Sequence, residues 1–560
     1  MIVVGAGASG MTAALVAANE GASVLVLEST SQVGGTSARS SGTLWIPRDT
    51  GAAATYLDAL VGDKADPALR QAFLAAGPAM IAYLEKHAGF AFRPFEHHPD
   101  YRQELPGAAL GVRPLESPPF DGRTLGKEFD KLAWPIPELM LFGGMMVRRV
   151  EAEQLLRAAK SIDAALLGAR LVARFAADRM RYRRGTRLVL GNALVGRLFK
   201  NLLDRKVPIW LSTRTERLMP EVVVQKNGER LHLRARKGVI LAGGGFPANE
   251  VLREKYLPHP VARHTPAGEG CVGDTLRLGQ EAGGVLGAPG EDNALWFPSS
   301  IATRRDGSTA VYPHILLDRA KPGLIAVGAS GKRFTDEAAS YHEFTRAMYR
   351  TGNVPAWLVC DRKFIWKYGL GMIRPLTPSL RRYLESRYLV EARTLGMDAE
   401  TLSQTVRRHN EFARTGVDLD FGKGGNALDR ANGDPAHKPN PCLGEIEGAP
   451  LYALRVEPTP MGTSLGLRTN EHAQVCNAAG KAIPGLYAVG NDMQSVMGGE
   501  YPGPGTQLGP GMTFGYLAAL HAVHEGKLHN GEWDEQAERK GIGEHADEKE
   551  GRRAHSRVPG

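Results

Sequence analysis

The chain opens on MIVVGAGASG, an apolar stretch running directly into Gly5-x-Gly7-x-x-Gly10, and no other stretch constrains its fold as much. An alanine-rich run, MTAALVAANEGA, follows and reads as a helix. SVLVLE then reads as a second strand ending at Glu28. Strand, glycine turn, helix and strand in this order make a βαβ unit suited to a dinucleotide. Gly5 permits the tight turn, Gly7 lets backbone approach a pyrophosphate, and Gly10 lets helix and strand pack closely. The helix start at Ala8 and Ser9 turns unpaired N–H groups and a partial positive charge toward the phosphates. Glu28 lies 18 residues beyond Gly10, where an acid that accepts from a ribose hydroxyl belongs.

The following residues select the dinucleotide. STSQVGGTSARSSGTLWIP carries Gly34 and Gly35, then Thr36, Ser37, Ser40 and Ser41, then Gly42. Small residues let backbone lie against a broad flat ligand, and hydroxyls bond its phosphates or ribityl chain. A nicotinamide needs no such second patch; a flavin extended along the domain does. Three later stretches fit the same ligand: GVILAGGGF with Gly243, the apolar strand LYAVG ending at Gly490-Asn491, and YPGPGTQLGPG with Gln507 and Leu508. Pro510 suits the first turn of a helix, whose positive end is expected to face the flavin N1/O2 edge.

At 560 residues, with 43% apolar and 23% charged residues, the chain is expected to form at least two domains with substantial cores. Cys271, Cys360, Cys442 and Cys476 are scattered without a CxxC, so free thiols in a reducing compartment are expected, with no disulfide framework and no metal site. The first strand begins at Met1 and no run of about 18 apolar residues occurs, which points to the cytoplasm. The net charge of +9 is concentrated between Arg148 and Lys206, where 15 Lys and Arg stand against 5 Asp and Glu. That segment has helical apolar spacing. It reads as a basic excursion whose apolar face packs on its own domain, with an anionic membrane surface as the alternative. Basic and aromatic residues do not interleave there, so no nucleic acid is expected. The fold expectation is α/β: a Rossmann-like domain over 1–290 with a basic insertion at 148–206, an inserted α+β cap over 291–457, a return over 458–532, and a charged, disordered tail over 533–560. Residues from Phe90 to Gly122 read as loop, and His97, His98 and His342 as polar loop residues.

VVGAGASGMTAAL, GGTSARSSGTLWIP, RGTRLVLGNALVGRL, GVILAGGGF, GTSLGLRTN, IPGLYAVGND and YPGPGTQLGPGMTFGY together resemble the FAD-dependent fumarate reductase/succinate dehydrogenase flavoproteins, and within them the 3-ketosteroid Δ1-dehydrogenases. The resemblance spans nearly the whole chain. It implies FAD as cofactor and a neutral ketone, a steroid, as substrate. A tyrosine base removes a proton from C2, a hydride passes from C1 to flavin N5, and donors hold the charge on the C3 oxygen. It further implies that Tyr501 and the Gly505 N–H are those donors and that Tyr341 is the base. Tyr101 would assist Tyr341 by lowering its pKa. Asp336 stands where the family usually has Asn. A Δ4-(5α)-dehydrogenase or an enoate reductase is the alternative within the superfamily. An electron-transfer subunit docked through the basic helix is the alternative of another class. With no second dinucleotide motif, the expected electron acceptor is a quinone or a protein.

Overall fold

The computed structural model describes residues 1–95, 98–155, 161–218, 221–315 and 318–524. The expected tail over 533–560 and His97 lie outside them. The N-terminal unit is β1 (Ile2–Val4), α1 (Ala8–Asn19) and β2 (Leu25–Leu27), with both strands fully buried. Buried on both faces, they have the continuous apolar composition of parallel strands. Further along come β3 (Thr43–Trp45), α2 (Pro67–Ala88), α3 (Arg149–Leu155), α4 (Ile162–Arg179), α5 (Leu190–Asp204), β4 (Ile209–Trp210) and β5 (Val239–Leu241). β5 lies parallel to β1, with Val239 beside Ile2.

A second sheet is built from β6 (Ala294–Thr303), β7 (Thr309–Pro313), β8 (Leu324–Val327), β9 (Ala356–Cys360) and β10 (Tyr452–Thr463). Its connections carry α6 (Tyr341–Arg350) and α7 (Ala427–Asn432). The chain then returns through β11 (Gln474–Cys476), β12 (Ala482–Ala488) and the last described helix, α8 (Leu508–His524). The strand order is β11-β12-β5-β1-β2-β4 in the first sheet and β7-β6-β10-β9-β8 along the second, where a short strand at Val390–Glu391 also pairs with β10.

Two features differ from the reading of the sequence. β10 runs unbroken through Pro458 and Pro460, because from residue 457 onward it pairs with β6 alone. β9 pairs only as far as Val456, so neither proline must donate on that side. The 90–122 stretch is not wholly loop: Pro114–Glu116 pairs antiparallel with β3, and Arg93–Pro94 pairs on its other side.

α1 packs between α8 and α5. The crossing with α8 is close because of glycine: a Cβ at Gly515 would stand 2.6 Å from the Ser9 carbonyl oxygen. This brings the N-terminus of α8 beside that of α1. The basic segment departs from expectation. α4 buries Ala164, Leu171 and Asp178, while Ile162 (81% exposed), Leu166 and Val172 face outward. Among the described residues no helix is long and apolar enough to cross a membrane.

Candidate active site

One groove runs from the β1–α1 turn, over the edge of the first sheet, to the face of β6. At its first end Glu28 closes the turn. One carboxylate oxygen accepts from the Ala6 N–H at 2.9 Å and the other from the Thr30 N–H and hydroxyl, each at 2.9 Å. α1 has no side-chain cap at Gly7, and the Ala8 N–H is held by the Ser37 hydroxyl at 3.1 Å. Gly5, Gly7, Ala8, Ser9, Glu28, Gly35, Thr36, Ser37 and Ser41 line this half, and Gly243, Gly490, Asn491, Gln507 and Leu508 continue it. Gly10, Gly34 and Gly42 do not line it. They serve packing instead: a Cβ at Gly10 would stand 2.1 Å from the Gly5 carbonyl oxygen, and one at Gly42 2.5 Å from the Leu190 backbone.

Sequence reasoning missed residues on this wall. Gly268, Gly270 and Cys271 line it from a loop, and Thr275 from the first turn of the helix Asp274–Glu281 that follows. Asp492, directly after the expected Gly490-Asn491, is fully buried and accepts the N–H groups of Gly243 and Gly245. It thereby folds the glycine turn after β5 against β12.

The far half is aromatic. Tyr101, Tyr341 and Tyr501 come from three distant parts of the chain into one buried cluster with Leu295, Phe297, Leu428 and Met461. The Tyr101 hydroxyl donates to that of Tyr341 at 3.0 Å. The Tyr341 and Tyr501 rings meet edge to face at 5.2 Å, and Phe297 stacks on Tyr341 at 4.2 Å. Each tyrosine is placed by its own device. Tyr341 opens α6, where the Ser340 hydroxyl caps the Glu343 N–H. The Tyr101 N–H donates to the Pro502 carbonyl at 2.8 Å, so its loop docks on the segment carrying Tyr501. Next to it Asp100 is held by Arg113, itself fully buried, and by the Trp45 indole at 2.9 Å. Gly505 stands at φ +99°, and its N–H donates to no described residue.

Burial pushes the Tyr341 hydroxyl well above its ordinary pKa, and the neighbouring Tyr101 and Tyr501 push it further. The expected lowering by Tyr101 is therefore not what this dry environment produces. Burial also raises Tyr101 and Tyr501. In Tyr101 it acts against the hydrogen bond to Tyr341 and the positive charges of Arg319 and Arg149. Arg319 is fully buried and donates to the carbonyls of Ile315 at 2.6 Å, Glu337 at 2.6 Å and Ala339 at 3.1 Å, tying down the chain that leads into α6. Burial, then the Asp429 and Glu337 charges, favour the neutral form of Asp336, which has the shape of an Asn.

His342 is not a loop residue, and His98, although it lies in a loop, is buried. His342 lies within α6, fully buried, and accepts the Trp296 N–H at 3.3 Å. Burial, then Arg346, hold its pKa well below the usual range. His98 lines the groove, with its pKa lowered to about 4 by burial and then by Arg149. Arg346, one turn beyond Tyr341, bridges the two sheets. It donates to Asp292 at 2.9 Å and to Glu500, the residue before Tyr501, at 2.9 Å.

An extended groove floored by glycine, with an uncapped helix start, a buried acid (Glu28) on its wall and an apolar end, fits FAD. The model of the FAD binding domain family matches residues 1–508. The 3-oxosteroid 1-dehydrogenase of Mycobacterium tuberculosis (strain ATCC 25618 / H37Rv) is 37% identical over 94% of this chain and 98% of its own. The 4-oxocyclohex-2-ene-1-carboxylate 5-dehydrogenase of Sinomonas cyclohexanicum is 35% identical over 92% of both. The 3-ketosteroid Δ1-dehydrogenase of Sterolibacterium denitrificans, solved with 1,4-androstadiene-3,17-dione, superposes with a TM-score of 0.87 at 38% identity, over 93% of this chain and 98% of its own. The chain belongs to the FAD-dependent oxidoreductases of the FAD binding domain family, in the group that contains the 3-oxosteroid 1-dehydrogenases.

Proposed function

We propose that this enzyme introduces a double bond between C1 and C2 in ring A of 3-ketosteroids. The observation that carries the reading is the convergence of three buried tyrosine hydroxyls and the Gly505 N–H at the apolar end of the groove. FAD, held by the glycine turns and hydroxyls of the first half, supplies the two-electron acceptor. The chain supplies the rest. Tyr501 and the Gly505 N–H donate to the C3 oxygen as charge grows on it during enolisation. Stabilising that charge acidifies C2, and Tyr341, in its ionised form, takes the C2 proton. Tyr101 holds the Tyr341 oxygen in place and can pass the proton on. The hydrophobic walls exclude water, so the few donors act in a low dielectric.

The one-ring oxo-acid in the name of the Sinomonas relative is a poorer fit. Here the same cavity is lined also by Leu139, Met140, Met146 and Tyr312, a larger wall than one ring needs. The test is anaerobic addition of androst-4-ene-3,17-dione to the purified flavoprotein. Bleaching of the flavin band with formation of the 1,4-diene supports the reading. A flavin that stays oxidised with every ring-A ketone sinks it.

The electron acceptor and the setting follow as part of the same proposal. A quinone or a partner protein reoxidises the flavin, and α4 seats the enzyme on an anionic bilayer. Outward-facing Ile162, Leu166 and Val172 among basic residues support this, since such a face is that of an interfacial helix. Co-sedimentation with vesicles containing phosphatidylglycerol, absent with neutral vesicles, checks it.

A further inference from the structure

We infer that Gln507 is a positioning residue for the oxyanion site: its amide N–H donates to the Tyr501 oxygen and so aims the Tyr501 hydroxyl proton at the substrate ketone. This rests on the steroid reading above, in which Tyr501 donates to the C3 oxygen, and deepens it. The sequence places Gln507 on the flavin, and the residue does line the groove. Its amide, however, is already oriented by protein. The carboxamide oxygen accepts from the Asn491 Nδ2 at 3.0 Å. That leaves the Gln507 NH2 group for the opposite side. The side chains that hydrogen-bond the Tyr501 hydroxyl are those of Tyr341 and Gln507. Burial pushes this hydroxyl above its ordinary pKa, while Tyr341 and then Gln507 pull it down, which is the effect of a donor on the phenol oxygen.

Rigid backbone fixes which way the two amides face. Gly462 of β10 lies against both: a Cβ there would stand 2.2 Å from the Gln507 carboxamide oxygen and 2.3 Å from the Asn491 Nδ2. Gly462 follows Met461, which packs in one cluster with Tyr501. Asn491 adjoins Asp492, which is fully buried on the N–H groups of Gly243 and Gly245. Gln507 stands one residue before α8, and its backbone carbonyl accepts the Gly511 N–H at 3.1 Å. A phenol that accepts a hydrogen bond becomes a stronger donor, because linked hydrogen bonds polarise one another. With an N–H on the Tyr501 oxygen, the hydroxyl proton turns to the cavity, where the C3 oxygen gathers charge. A carboxylate oxygen in the same place would accept the proton and turn it away from the substrate.

Two variants separate these cases. Gln507→Met keeps the length of the side chain and removes the amide; Gln507→Glu keeps the shape and replaces the donor by an acceptor. Anaerobic flavin reduction by androst-4-ene-3,17-dione is followed by stopped flow in both, in Tyr501→Phe and in the Gln507→Met/Tyr501→Phe double variant, with flavin content measured on each sample. Gln507→Met should lower the limiting reduction rate about tenfold, the worth of one neutral hydrogen bond, with little change in the half-saturating concentration. Gln507→Glu should lose about 10²–10³, as Tyr501→Phe does. Because Gln507 acts through Tyr501, adding Gln507→Met to Tyr501→Phe should slow the enzyme no further. The C3 carbonyl stretch of bound 1,4-androstadiene-3,17-dione, read by infrared difference spectroscopy, should rise in Gln507→Met and rise further in Gln507→Glu as the oxygen loses its donor. A wild-type rate in Gln507→Met, equal losses in the two Gln507 variants, or additive losses in the double variant overturn the inference. So does loss of flavin from Gln507→Met, which would give the amide to the cofactor. If Tyr501→Phe reduces its flavin as fast as wild type, or the steroid never bleaches the wild-type flavin, the steroid reading has failed and the inference falls with it. Neither of those results depends on a Gln507 variant, so the two failures are distinct.

Discussion

Gly505→Ala tests the oxyanion arrangement most sharply. Gly505 has φ +99°, and a Cβ there would stand 2.5 Å from the Trp45 nitrogen and 2.6 Å from both the Leu44 carbonyl carbon and the Thr43 oxygen. All three are backbone atoms of β3, which its partner at Pro114–Glu116 holds in place. Ordinary contact begins at 3.4 Å, so the loop must retreat from β3 by the difference. The left-handed backbone adds about 1–3 kcal/mol of strain to an alanine there. An N–H withdrawn by that distance leaves hydrogen-bond range of the substrate oxygen. Losing one such donor costs about 2.7–4 kcal/mol of transition-state stabilisation, or about 10²–10³ in rate. The assay is stopped-flow flavin reduction under anaerobic conditions, with flavin content measured on the same sample. The expected result is a fall of that size in the limiting reduction rate with flavin retained. A variant that keeps its flavin and reduces it within about tenfold of wild type would refute the assignment of the Gly505 N–H.

Tyr501→Phe removes the second donor and is expected to slow flavin reduction by about 10²–10³ without loss of flavin, read in the same assay. Tyr341→Phe should slow it by about 10²–10⁴, as loss of a general base does. Because the Tyr341 hydroxyl is held well above its ordinary pKa, its ionised fraction grows as pH rises, and the wild-type reduction rate should climb through the neutral range; a plateau reached near pH 7 would exclude Tyr341 as the base. Arg346→Met strands Asp292, which is nearly fully buried, while Glu500 keeps Lys64, and should cost about 3–5 kcal/mol in urea titrations followed by flavin release. The Asp292 pKa is already raised by burial, so an unpaired Asp292 opposes folding above its unfolded pKa and the penalty should shrink as pH falls; a deficit independent of pH would show that the charges are not its source. Gly5→Ala drives a Cβ to 2.2 Å from the Ala242 carbonyl oxygen and should yield protein without bound flavin, seen as loss of the flavin absorbance band.

The cofactor half was legible in the sequence because its constraints are local. A glycine turn between a buried strand and a helix can be recognised from ten residues, and Glu28 follows at a spacing fixed by the length of α1. The YPGPG stretch was legible as a rigid turn, but the roles of its Tyr501 and Gly505 came only from the resemblance. Tyr101 and Tyr341 became readable only through resemblance, and their shared hydrogen bond spans 240 positions along the chain. His342 was misread because its helix has a strongly polar sequence, and only the packing against β6 shows that the polar residues on this face are buried and paired. Asp492, Arg319 and Arg346 were missed because a buried charge looks like a surface charge until its partners are in place.

The sequence by itself determined the βαβ unit, the flavin site and the class of chemistry, since those depend on backbone conformations that few residues permit. The tertiary structure decided which tyrosines meet and which charges are buried. Those properties depend on desolvation and on distances between residues hundreds of positions apart, and neither is encoded in any short stretch of chain.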